Sequence, residues 1–142
     1  MTIMLVVVFS VSVILFNQVK ITGNLGNSIS SLYAAESGVE KTIYFDRKQI
    51  PQSASRGFCN ICNACTGTDC KNCIKTPLAS SGCDVDTCAN CQITYTSTFG
   101  EKSFSVDASV TPDSSGTKSV LTITVRGYYK DTVRAMNLNL VK

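Results

Sequence analysis

Apolar side chains fill the start of the chain and then fall into two successive periods, one helical and one extended. Met1 to Phe16 reads MTIMLVVVFSVSVILF, and its only polar side chains, Thr2, Ser10 and Ser12, carry hydroxyls that can bond back to a helix backbone. As a helix this stretch is about 24 Å long, slightly short of a hydrocarbon core of about 30 Å. Asn17 to Ile21, with Lys20 snorkelling, brings it close to that thickness. From Gln18 the pattern becomes amphipathic: Leu25, Ile29, Leu32, Val39 and Ile43 recur at spacings of four and three, with Glu36 in the one missing slot. Pro51 disfavours helix at the residue before it, so the helix is predicted to end near Lys48. A continuous helix from Met1 to Lys48 is about 70 Å long, more than the diameter of a compact domain of this size. Half of it must lie outside its own domain and find partners there.

Gly23 and Gly26 interrupt the middle of this helix, each at a cost of roughly 1 kcal/mol relative to Ala. They suit either close helix–helix packing or a melted segment that opens when helices pack in a filament. Unbroken helical hydrogen bonding through residues 18–28 counts against the second reading.

From Cys91 onward the period is two. Ile93, Tyr95 and Phe99 share one face of the first run, and Phe104, Val106, Ala108 and Val110 alternate with polar residues in the next. Leu121, Ile123 and Val125 follow, then Met136, Leu138 and Leu140. Turn signals at Gly100-Glu101, Pro112 to Gly116 and Tyr129 to Asp131 separate the runs, and connections this short imply hairpins. The expected fold is α+β: a long N-terminal helix packed through Val39 and Ile43 on an antiparallel meander of about four strands, with a cysteine-rich loop between. The chain divides into an apolar membrane or filament-core helix (1–24), an amphipathic half (25–50), the cysteine-rich loop (51–91) and the sheet (92–142).

The loop holds eight cysteines, Cys59, Cys62, Cys65, Cys70, Cys73, Cys83, Cys88 and Cys91, among few large apolar residues beyond Ile61, Ile74, Leu78 and Val85. Burial alone cannot order such a segment, so the cysteines must. An even count in one short stretch points to disulfides and an oxidising compartment, with the pairing left open. The repeated C-x2-C spacing also suits zinc, which makes the same cysteines alternative zinc ligands. The iron–sulfur run is a poor fit, because x4 rather than x3 separates Cys65 from Cys70 and Lys71 follows in place of proline.

With 142 residues the chain allows one domain, and no charged residue precedes Lys20. The net charge of +3 is scattered, with no basic run longer than Arg47-Lys48, so no nucleic-acid partner is expected. Histidine is absent, which removes the commonest general base and metal ligand. Gly-rich phosphate loops are absent as well, and no catalytic residue and no cofactor is expected. Asp84 and Asp86 read as a solvated turn, with weak calcium binding the alternative.

The apolar start followed by SLYAAESGVEKTIYFDRK resembles type IV pilins and pilin-like proteins. The match is to members with an Ala-Ala-Glu-Ser-Gly-x-Glu block about 35 residues into the mature chain, here Ala34, Ala35, Glu36, Ser37, Gly38, Val39 and Glu40. It covers residues 1–48; beyond them the likeness is architectural. On this resemblance the N-terminus is that of a mature pilin trimmed of its leader. A cleaved signal peptide would need a basic n-region and a small-residue cleavage site, and a plain single-span anchor is the other alternative.

The resemblance implies a structural subunit of an extracellular filament that serves surface attachment. Met1, Met4, Leu5, Val6, Val7, Val8, Phe9, Val11, Val13, Ile14, Leu15 and Phe16 would form the filament core. The implied partners are further copies of the chain, the membrane before assembly, and the pilus assembly machinery with its prepilin peptidase. One position departs from the pattern: the glutamate common at the fifth mature position is Leu5 here. That leaves a minor pilin or pseudopilin as one rival reading, and a membrane-anchored metal-binding or redox protein as another.

Overall fold

A computed structural model describes residues 2–52, 54–65, 67–80, 82–83, 88–113 and 118–142. One helix, α1 (Thr2–Lys48), takes up the first third of the chain; at 47 residues it is about 70 Å long. Arg47 and Lys48 in its last turn complement the negative end of the helix dipole, and Pro51 follows. The helix runs unbroken through Gly23 and Gly26. The melted-segment reading therefore finds no counterpart in the free chain, where the backbone hydrogen bonds win over the glycine cost.

After α1 come a 3₁₀ turn (Phe58–Asn60), the short helix α2 (Ile61–Ala64) and a second 3₁₀ turn (Gly67–Asp69). Five strands complete the fold: β1 (Lys71–Pro77), β2 (Cys91–Phe99), β3 (Lys102–Pro112), β4 (Ser119–Tyr129) and β5 (Thr132–Val141). They form one antiparallel sheet in sequence order, closed at Phe99↔Lys102 and Tyr129↔Thr132 by the two-residue hairpins expected from the turn signals. The chain is thus α+β, a long N-terminal helix packed on an antiparallel meander with several disulfides.

The sequence pattern predicts about four strands, and β1 is a fifth, inside the cysteine-rich segment. Its residues are exposed or half-buried throughout, as on an edge strand covered on neither face, so it shows no alternation to read. The same segment also has better apolar anchors than its composition suggested. Phe58 and Ile61 are fully buried, and with Cys59, Cys65, Cys70, Cys88 and Cys91 they join the sheet in a single core.

One face of the sheet, carrying Ile93, Tyr95, Phe104, Val106, Ala108, Val110, Leu121, Ile123 and Val125, is buried. The C-terminal half of α1 covers it, lying over β4, β5 and β3. Val39 and Ile43 pack against the core as the pattern predicts, but the rest of the contact face differs from the predicted stripe. Leu25, Ile29 and Leu32 stay exposed and Ile43 is half-buried, whereas Ser31, Ala34, Ala35, Gly38, Val39, Thr42 and Asp46 are buried. The reason is backbone proximity. A Cβ on Gly127 of β4 would collide with the Ser31 carbonyl and the Ala35 amide, and one on Gly38 would lie 2.6 Å from Val125 Cγ1. Helix and sheet meet so closely here that only small residues fit between them.

Candidate functional site

The feature that sets this chain apart is how much of α1 its own head leaves uncovered. Every described side chain from Met4 to Gly26 is exposed, Phe9 at 70% and Phe16 at 73%. The side chain of Met1 lies outside the described residues; the other predicted filament-core residues, Met4 to Phe16, all point away from any contact within the chain. Ser10 Oγ and Ser12 Oγ donate to the carbonyls of Val6 and Val8 at 2.8 and 2.9 Å, and Thr22 Oγ1 to that of Gln18 at 2.9 Å. The surface offered outward is therefore apolar even where the sequence is not. Covering the apolar side chains between Met4 and Phe16 would stabilise the chain by on the order of 20 kcal/mol. The helix is long and apolar enough to cross a membrane, and none of its most apolar window is buried.

The exposed surface continues beyond this segment as Leu25, Ile29 and Leu32, alongside the region where α1 joins the head. Gly23 and Gly26 sit between the two parts, and nothing lies within 4 Å of a Cβ built on either. Any close packing against these glycines must come from outside the chain. In the Ala-Ala-Glu-Ser-Gly-x-Glu block, Ala34, Ala35 and Gly38 face the sheet, while Glu36 and Glu40 are exposed.

Three polar devices that the sequence reading missed hold the head to α1. Arg56 Nη1 donates to Asp46 Oδ2 at 2.8 Å, with the two side chains 1% and 3% exposed. The same guanidinium donates from Nε to Ser119 Oγ at 2.8 Å and from Nη2 to the Ser119 carbonyl at 2.9 Å. Arg56 so ties the end of α1 to the first residue of β4. Higher up, Thr42 Oγ1 and the Tyr95 hydroxyl lie 2.9 Å apart in a shared hydrogen bond, and burial pushes the Tyr95 phenol up to about 12. Lys41 Nζ donates to the Asp69 carbonyl. Burial draws its ammonium below the ordinary lysine range, with the nearby Asp69 charge opposing the shift.

All eight cysteines are paired: Cys59–Cys88, Cys62–Cys73, Cys65–Cys70 and Cys83–Cys91. The first joins the turn after α1 to the approach of β2, and the second fastens α2 to β1. The other two close short loops of separation 5 and 8. The sulfurs of Cys59, Cys83 and Cys91 lie within 4.8 Å of one another, the densest ligand cluster among the described residues. Each is bonded to another sulfur, so a metal would require reduction first. Asp84 and Asp86 lie outside the described residues. On the open face of the sheet, Thr94, Thr96, Asp107, Thr124 and Arg126 line a shallow groove of about 390 Å³.

Comparison with protein-family models, curated proteins and solved structures finds no match. The architecture itself defines the class: a long apolar N-terminal helix joined to a disulfide-rich antiparallel sheet is consistent with a pilin-like fold in general. It is compatible with a membrane-associated extracellular protein.

Proposed function

We propose that this chain is a structural subunit of a type IV pilus-like extracellular filament. It polymerises through α1, with the disulfide-stapled head forming the outer surface and serving surface attachment. The reading is carried by one observation: an apolar helix of more than twenty residues has no cover within the chain. Before assembly the same helix resides in the membrane, where prepilin peptidase and the pilus assembly machinery act on it. Moving into a bundle of identical helices exchanges lipid for an equally apolar setting, so packing decides the outcome. The head works as a scaffold, without catalysis or cofactor.

Negative-stain electron microscopy of the purified full-length protein after detergent removal tests this. Uniform fibres are expected; a detergent-bound monomer that gives only amorphous precipitate contradicts it.

A minor pilin or pseudopilin present in few copies shares this architecture and is the second reading. Counting subunits per fibre separates the two.

A further inference from the structure

Within the uncovered part of α1, residues 4–26, Lys20 is the only charge. Among the described residues it has no ion-pair or hydrogen-bond partner. One turn away on its own helix stand Phe16, Asn17, Gly23 and Asn24, none of them acidic. In a bilayer the side chain can snorkel, but inside a bundle of helices an unpaired ammonium is destabilising by several kcal/mol. Assembly therefore requires a carboxylate from another copy.

The acids of α1 are Glu36, Glu40 and Asp46, and Arg56 already holds Asp46. Glu36 and Glu40 are exposed, one turn apart, and neither has a cation partner among the described residues. Like charges at this spacing cost the free helix about 0.2–0.5 kcal/mol. Lys41, the nearest cation in sequence, is turned to the Asp69 carbonyl instead.

The apolar neighbours of the two charges repeat one pattern. Phe9, Val13, Phe16 and Lys20 follow one another at spacings of four, three and four, so they share a helix face. Leu25, Ile29, Leu32 and Glu36 do the same, and each stands sixteen positions after its counterpart. All six apolar residues are exposed.

Resting on the filament reading, we infer that Lys20 of one copy pairs with Glu36 of a second, parallel copy, with the Phe9-Val13-Phe16 face of the first seated on the Leu25-Ile29-Leu32 face of the second. The axial offset is sixteen residues, about 24 Å. Glu40 flanks the pair and adds to the negative field that Lys20 meets. At this offset the head-covered stretches of α1, residues 27–48, overlap by six residues, a little under two turns, so the heads are staggered along the fibre axis.

Zero-length carbodiimide cross-linking of filaments grown from an equal mixture of unlabelled and nitrogen-15-labelled chains tests the pairing. The expected product joins a Lys20 peptide to a Glu36 peptide in mixed-isotope form. Lys20→Glu and Glu36→Lys are each expected to lower fibre yield by about tenfold or more, and the two together to restore it. Because both residues are exposed in the single chain, the disulfide map of the head serves as the control for folding. Fibres that lack the Lys20–Glu36 product and tolerate Lys20→Glu at full yield overturn the pairing and leave the filament reading standing. A wild-type chain that forms no fibre overturns both.

Discussion

Arg56 and Asp46 form a 2.8 Å ion pair that is almost wholly buried, at the point where α1 ends and the head begins. Asp46 Oδ1 has no hydrogen-bond partner among the described residues, so the carboxylate depends on Arg56 for its compensation. The pair lies beneath the ends of β4 and β5, and Arg56 also satisfies the Ser119 carbonyl.

Removing one partner leaves an uncompensated buried charge. Arg56→Ala is expected to destabilise the head by about 3–5 kcal/mol. Replacing both groups with apolar ones, Asp46→Leu with Arg56→Met, should recover much of that loss, because the pair's desolvation cost disappears with it. Denaturant unfolding of the full-length chain in detergent micelles, followed by near-ultraviolet circular dichroism, measures both. Equal losses in the single and double variants would mean that the contact acts through geometry rather than charge.

Gly127 marks the closest approach of sheet to helix. Gly127→Ala places a methyl against the backbone of Ser31 and Ala35, neither of which can move without lifting α1. A loss of about 3 kcal/mol or more is expected. Gly23→Ala and Gly26→Ala meet open space and should each raise the helicity of the free chain, by up to about 1 kcal/mol. Circular dichroism at 222 nm and denaturant midpoints report the two opposite signs. An unchanged midpoint for Gly127→Ala would contradict the close packing.

Tyr95 makes stability depend on alkaline pH. Its phenol ionises at about 12 in the folded chain, against about 10 when unfolded, because burial disfavours the phenolate. Between these values the unfolded state has lost a proton that the folded state keeps. The contribution, up to about 3 kcal/mol, is therefore complete below pH 10 and disappears as pH rises through 12. A phenolate absorbance titration should show a late step that Tyr95→Phe removes. A wild-type titration already complete near pH 11 would contradict this environment.

The disulfides differ in the length of chain they close. Cys59–Cys88 spans 29 residues and Cys65–Cys70 spans 5. The chain-entropy relation gives about 3.5 kcal/mol for the first and about 2 kcal/mol for the second. Cys59→Ser with Cys88→Ser should thus destabilise more than Cys65→Ser with Cys70→Ser, since all four cysteines are buried in the same core and loop length separates the two pairs. Thermal melts of the two double variants give the comparison. Peptide mapping without reduction tests the pairing directly, and eight free thiols with bound zinc in the native protein would refute it.

The long helix and the meander were legible because each shows a clean period: α1 ends at Lys48 as Pro51 requires, and the buried positions of β2, β3 and β4 are those that alternate. Apolar periodicity places Val39 and Ile43 on the sheet but misses the small residues that share the contact, for a physical reason. Apolar periodicity marks the stripe of large side chains, Leu25-Ile29-Leu32, but a close backbone approach selects small ones. Ser31, Ala34, Ala35 and Gly38 have helical spacing too, and that was the signal to read. β1 escaped because an exposed edge strand need not alternate. The Asp46–Arg56 pair and the Thr42–Tyr95 bond left no trace in the sequence, since both depend on how the 3₁₀ turn and β2 fold back against α1.

Site-specific photocross-linking from the apolar helix tests the central claim most directly. With p-benzoylphenylalanine in place of Phe9, irradiation of the cell-surface material should give a ladder of covalent multimers, the adducts mapping to α1 of another copy. Adducts to lipid alone, on a protein that stays monomeric, would contradict self-assembly through this helix.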